Sequence, residues 1–241
     1  YAHNDYENAR PLDEALERGF RGVEVDLFLV DGTLQVGHDR RRARAGATFE
    51  ALYLAPLRAL VTRCGMLRSD GQPFLLAVEL KEGSQAAYNA LVHLLGRYQP
   101  LFAGTAAGRV LEAPVEIVLV GWYPPGALVT RGADSLLQLQ YRLTRPGPLS
   151  LRDPARRVRL VSVDYGKTIG RWWGRPAHRR RWIATLHAVK GSAPGRLLRV
   201  HNVPRDATVY YLLLDAGVDL IGTKDLARTQ SLLSQARGGL E

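Results

Sequence analysis

The chain has 241 residues, 46% of them hydrophobic, with 33 Lys and Arg against 23 Asp and Glu for a net charge of +10. Such a length and apolar content can bury one sizeable core and set a single domain, 1–241, as the expectation. The lone Cys64 excludes an intrachain disulfide, no apolar run reaches the roughly eighteen residues of a membrane span, and the excess of positive charge favours an anionic partner: phosphate esters, an anionic lipid surface or nucleic acid.

In chain order, short apolar runs alternate with helix-like stretches, the pattern of repeated βα units around a parallel sheet. A strand ending at about His3 is followed by candidate strands at 22–30, 74–81, 116–122, 135–141, 160–165, 197–203 and 219–224. Amphipathic helices are expected over 11–18, 49–64, 85–98, 182–189, 208–216 and 226–236, several of them preceded by Asp, Ser or Thr as caps. The segment 142–157, rich in Pro and Arg, reads as a loop. Eight strands in this alternation predict an α/β fold of the TIM-type (β/α)8 barrel class. Cys64 falls in an apolar helical stretch and is expected to be buried.

Active sites in such a fold collect where strands end. Polar residues fall at those points: His3-Asn4-Asp5, Glu24 and Asp26, Glu79 and Lys81, Asp164, His201-Asn202 and Lys224-Asp225. Glu24 and Asp26 are two apart, so on an extended strand both leave the same face. In a barrel that face is the interior, where two like charges are costly unless a cation neutralises them. Glu79, in a similar apolar strand, supplies a third carboxylate, and three carboxylates suit Mg²⁺ or Ca²⁺ better than Zn²⁺. The competing reading places Glu24 and Asp26 on the solvent face of an edge strand.

His3 and His38 are each, taken alone, of a type more often found on a surface or at a cap. Flanking a metal-bound phosphate, the two imidazoles would serve as general acid and general base. Lys81 shares the face of Glu79 by the period of two and would pair with the carboxylates, hold a phosphate oxygen, or do both. Trp122 and Asn202, and behind them Asp164 and His201, are candidate contacts to substrate, with ordinary packing an equal alternative. His93, His178 and His187 sit in or beside helical runs and are read as structural or solvated.

Ala2-His3-Asn4-Asp5, Val23-Glu24-Val25-Asp26, Gly37-His38-Asp39 and Glu79-Leu80-Lys81 resemble, in order and spacing, the glycerophosphodiester phosphodiesterases and their wider superfamily with phosphatidylinositol-specific phospholipases C. His3-Asn4-Asp5-Tyr6-Glu7, Arg10-Pro11-Leu12 and Asp31-Gly32-Thr33-Leu34 are closer to a less characterised bacterial and fungal branch. The resemblance implies a TIM-type barrel, a catalytic pair in His3 and His38, one Mg²⁺ or Ca²⁺ on Glu24, Asp26 and Glu79, and phosphate contact by Lys81. Asn4 stands where that family usually has a phosphate-binding Arg, so the substrate's alcohol groups are left open.

The expected function is thus hydrolysis of a phosphoric diester of glycerophosphodiester or phospholipid type, by water or through a cyclic phosphate. An inactive barrel that binds anionic lipid or a polyanion, and a lyase or aldolase using a Lys81 Schiff base, are the alternatives. No nucleic-acid partner is expected. The basic runs Arg40-Arg41-Arg42-Ala43-Arg44 and Arg179-Arg180-Arg181-Trp182 read as solvated faces that could also steer phosphate or meet a membrane. The abrupt opening at Tyr1-Ala2-His3 reads as a processed or trimmed chain, and a secreted or cell-envelope location is expected.

Overall fold

The sequence Val23-Glu24-Val25-Asp26-Leu27 alternates apolar and acidic side chains, yet both faces of the strand that it forms are buried. In the computed structural model, which describes residues 1–106, 109–111, 114–124, 137–146, 158–172, 174–191 and 195–238, this strand is β1 (Gly22–Val30). It turns at Asp31-Gly32, where both residues have positive φ, 48° and 79°, the backbone that a two-residue hairpin needs. The antiparallel β2 (Thr33–Val36) returns along it.

The chain divides into two compact units, residues 3–139 and residues 1–2 with 140–241. In the first, β1 also pairs in parallel with β3 (Phe74–Leu80), β3 with β6 (Val115–Val120), and β6 with the opening residues of β7 (Leu137–Leu143). A short hairpin of β4 (Phe102–Ala106) and β5 (Arg109–Leu111) adds to β6. The helices are α1 (Asp13–Glu17), α2 (Arg40–Ala45), α3 (Ala55–Cys64), entered through a π turn, and α4 (Gln85–Gly96). Phe74, Leu76, Val78, Ile117 and Leu119 are fully buried, each such side chain stabilising the fold by about 1.5–3 kcal/mol.

In the second unit, β8 (Val158–Asp164), β9 (Leu197–His201) and β10 (Leu220–Gly222) run parallel, with α5 (Pro176–Gly191), α6 (Ala207–Asp215) and α7 (Leu226–Gly238) between and after them. Val161, Val163, Leu198, Val200 and Ile221 of the strands join Trp182, Leu186, Val209 and Leu213 of the helices in one core. The alternate strand positions carry Ser162, Asp164, Arg199 and His201, so polar groups occupy the other face. Lys190 of α5 ties the unit together by donating to both carboxylate oxygens of Asp219 at 2.6 and 2.7 Å.

Several expectations change in detail. The first strand is reduced to one parallel bridge, Ala2 to Thr223. β2 and the β4–β5 hairpin were not foreseen; α5 starts at Pro176, six residues earlier than read, and includes His178. The loop expected over 142–157 falls mostly outside the described residues, although Arg142 and Leu143 complete β7. Cys64 is exposed rather than buried, because it closes α3 on that helix's solvent side. No described helix is long and apolar enough to cross a membrane.

Candidate active site

β1 is an interior strand of its unit, lying between β2 and β3, so Glu24 and Asp26 are not on an edge. They are 4% and 1% exposed. Asp26 sits opposite Glu79 in the parallel register of β1 and β3. One oxygen from each of Glu24, Asp26 and Glu79 lies within 4.8 Å of the others. Burial raises the Glu79 carboxyl above its usual range, and the charges on Asp26 and Glu24 add to this against the pull of Lys81.

The β1–β2 hairpin is what brings His38 to this cluster. Val36 pairs with Leu27, and Gly37 donates its backbone N–H to the Asp26 carbonyl at 3.1 Å, so the next residue emerges beside the Asp26 side chain. His38 Nδ1 lies 3.1 Å from Asp26 Oδ2. His3 arrives from the other end of the unit's sequence, with Nδ1 2.9 Å from Glu24 Oε2. Each imidazole therefore has its Nδ1 on a different carboxylate, buried in both cases, an arrangement that fixes ring orientation.

Asn4 takes a left-handed backbone, φ 51° and ψ 53°, and enters the short 3₁₀ turn Asp5–Glu7. This turn is pinned by Asp5, fully buried, which accepts from the Leu12 N–H at 2.6 Å and the Tyr53 hydroxyl at 2.9 Å. Asn4 places Nδ2 3.3 Å from His38 Nδ1. Tyr6, which the sequence reading did not single out, donates its hydroxyl to Asp26 Oδ2 at 2.8 Å and lies 3.4 Å from His38 Nδ1. Burial, and then the Asp26 charge, push the Tyr6 hydroxyl well above its ordinary range and keep it a donor. A Tyr three residues after a candidate catalytic His was the available signal.

Lys81 projects from the face of Glu79, as the period of two requires, with Nζ 3.4 Å from Glu79 Oε2 and 3.5 Å from Asp26 Oδ2. Partial burial works against its charge, but Asp26 and Glu79 outweigh it and hold the ammonium above its usual range. A Schiff-base lysine needs the opposite shift. Trp122, 38% exposed, packs over Gly83 in the loop that follows Lys81. Gly121 beside it has φ 75°, and a Cβ there would come within 3.1 Å of Glu79 Oε1.

The charges and one orphaned atom test whether these residues fit a cation. Three carboxylates gathered within 4.8 Å repel one another unless a cation lies among them, and Asp26 Oδ1 is a buried oxygen with no hydrogen-bond partner. An unpaired buried carboxylate oxygen is costly, and an all-oxygen donor set suits Mg²⁺ or Ca²⁺. The residues fit.

Asn202 belongs to the second unit. It follows β9 with φ 56°, and its amide helps hold Asp164 below the usual carboxylate range, together with the Lys167 N–H and against the effect of burial. Asp164 and His201 are register partners, with Oδ2 and Nε2 3.7 Å apart, and Ser162 Oγ lies 3.3 Å from His201 Nδ1.

Residues 1–124, just over half of the chain and all of the cluster around Asp26, match the AIM6-like phosphodiesterase domain. The chain belongs to this family. A relative in Arthroderma benhamiae, altered inheritance of mitochondria protein 6 homolog, is 26% identical over 156 residues, covering 54% of this chain and 49% of the relative. The chain spans half or less of the length of the curated relatives that it matches. Among solved structures it is similar to an Oleispira antarctica phosphodiesterase in complex with the product sn-glycerol-3-phosphate: TM-score 0.54, 15% identity, 98% of this chain and 95% of that one. A glycerophosphodiester phosphodiesterase from Agrobacterium tumefaciens gives TM-score 0.52 at 14% identity, over 99% of this chain and 98% of that one. These likenesses show the TIM-type α/β fold class that the alternation of elements predicts.

Proposed function

We propose that this member of the phosphodiesterase family is a divalent-cation-dependent phosphoric diester hydrolase, with a substrate of glycerophosphodiester or phospholipid type. The observation that carries the reading is the pairing of two imidazoles with two carboxylates of one buried triad, beside a carboxylate oxygen that has no protein partner. Glu24, Asp26 and Glu79 would hold Mg²⁺ or Ca²⁺. Such an ion, when bound, polarises a phosphoryl oxygen and offsets the charge that develops in phosphoryl transfer.

The chain's own groups do the rest. Lys81 holds a non-bridging phosphate oxygen, and Asn4 and Trp122 line the approach. One histidine takes the proton of the attacking hydroxyl, from water or a neighbouring substrate alcohol, as the new P–O bond forms. The other gives a proton to the leaving alkoxide as the old P–O bond breaks. With Nδ1 of each ring engaged by Glu24 or Asp26, Nε2 is the nitrogen that exchanges protons. The Oleispira antarctica phosphodiesterase in complex with the product sn-glycerol-3-phosphate supports the substrate class, while Asn4, neutral where the family usually has a charged fork, leaves the alcohol groups open. A cell-envelope or secreted setting is proposed with it.

The test is turnover of glycerophosphodiesters and lysophospholipids by the purified chain and by His3→Ala. Metal-stimulated release of an alcohol from at least one substrate, lost in the variant, is expected; silence from folded, cation-loaded protein on both classes would contradict the reading.

A further inference from the structure

The net charge is not spread along the chain. Residues 165–205 contain ten Lys and Arg and no Asp or Glu, and the other 23 Lys and Arg are matched by the chain's 23 Asp and Glu. The whole excess of +10 therefore lies in one stretch of 41 residues, which holds the end of the β8 loop, α5 and β9.

The second unit divides these cations by place. Arg196 and Arg199 are buried, Lys190 is bound to Asp219, and Arg205 lies 3.4 Å from Asp225. Lys167, 3.7 Å from Asp164, is exposed, as are Arg171, Arg175, Arg180 and Arg181, and Arg179 is half-buried. On α5, Trp182, Leu186 and Val189 point into the core. The opposite stripe, at helical spacing, is Ala177, Arg180, Arg181, Ala184 and Ala188, all exposed, with His187 at its margin.

We infer that this face of α5 is a docking surface for an anionic lipid bilayer. A stripe of arginines set among alanines is complementary to a sheet of negative headgroups, and basic residues at such a surface each strengthen binding about fivefold. Arginines also serve a nucleic acid, at its phosphates and at guanine edges, but beyond them the stripe carries little that one would use. It presents no amide or hydroxyl side chain to read base edges, since Thr185 is turned inward and donates to the Arg181 carbonyl. It offers no aromatic platform for stacking either, since the helix's tryptophan, Trp182, is 1% exposed. Binding at this face needs no turnover, so it stands or falls apart from the phosphodiesterase reading.

The experiment is co-sedimentation of the chain with phosphatidylcholine vesicles, with and without phosphatidylserine, at low and high salt. The chain is expected to bind the anionic vesicles alone and to leave them at high salt. The double variant Arg180→Ala/Arg181→Ala is expected to bind about 25-fold more weakly with an unchanged Tm, and His3→Ala to bind as the parent does. Equal binding to neutral vesicles, or an undiminished affinity in the double variant, would overturn the inference. So would duplex RNA that binds more tightly than the vesicles and strips the protein from them.

Discussion

The hydroxyl of Tyr6 donates to Oδ2 of Asp26 at 2.8 Å, while Oδ1 of the same carboxylate, equally buried, has no partner. Tyr6 thus distinguishes the two oxygens. Oδ2 is shared among Tyr6, His38 and Lys81, and Oδ1 is the oxygen that the proposed cation would take. Tyr6→Phe keeps the ring and removes the donor, and loss of such an outer contact typically costs about 10–100-fold in metal affinity or activity. Titration calorimetry with Mg²⁺ and Ca²⁺ is expected to show that loss with the fold unchanged; parent-like cation affinity would remove Tyr6 from the site.

His3→Ala and His38→Ala are each expected to lower kcat by about 10²–10⁴, with KM and thermal unfolding close to the parent. Both side chains are partly exposed, 26% and 51%, and neither fills the core. A single-turnover assay separates loss of chemistry from loss of binding. Normal rates in the double variant would exclude the pair as the acid and base.

Gly121→Ala tests how Glu79 is held. The substitution puts a Cβ on a backbone with φ 75° and within 3.1 Å of Glu79 Oε1. A left-handed residue with a Cβ costs roughly 1–2 kcal/mol, a fall of several degrees in Tm for a chain of this size. Because the crowding falls on a carboxylate of the triad, cation affinity is expected to drop as well. A variant with a lower Tm and full cation affinity would show that Glu79 is positioned without Gly121.

The second unit has its own pH dependence through Asp164. Burial acts to raise this carboxyl, but the Lys167 N–H, the Asn202 amide and the charges of His201 and Lys167 together hold it below the usual carboxylate range. An acid depressed on folding adds stability that is present above its unfolded value and is lost as pH falls through the folded value. Urea unfolding is therefore expected to show stability declining below about pH 4, with a shallower decline in Asp164→Asn. Identical acid limbs for parent and variant would contradict the assignment.

Much of the triad was legible because strand periodicity is strict. Glu24 and Asp26 share a face whatever lies around them, and Lys81 must follow Glu79. The contact of His38 with Asp26 was not derivable from the strands expected, because it depends on β2, whose four residues Thr-Leu-Gln-Val are too few to stand out. The Asp31-Gly32 pair, between Val30 and the alternating Thr33-Leu34-Gln35-Val36, was the sign of that hairpin. The roles of Asn4 and Tyr6 depend on a left-handed residue and a 3₁₀ turn pinned by buried Asp5, and no periodic pattern encodes such a turn. α2 escaped notice for a different reason. Its sequence Arg-Arg-Arg-Ala-Arg-Ala has no apolar face, and it is started instead by the Asp39 side chain, which accepts from the Arg42 N–H at 2.9 Å.

The most direct test of the account is the hydrolysis of bis(p-nitrophenyl) phosphate by the chelated chain, by the same protein after Mg²⁺ or Ca²⁺ is restored, and by Asp26→Asn. Turnover is expected to be abolished by chelation, recovered with one of the two ions, and absent in the variant at every ion concentration. Turnover that survives chelation, or an Asp26→Asn protein as active as the parent, would contradict a cation held by Glu24, Asp26 and Glu79.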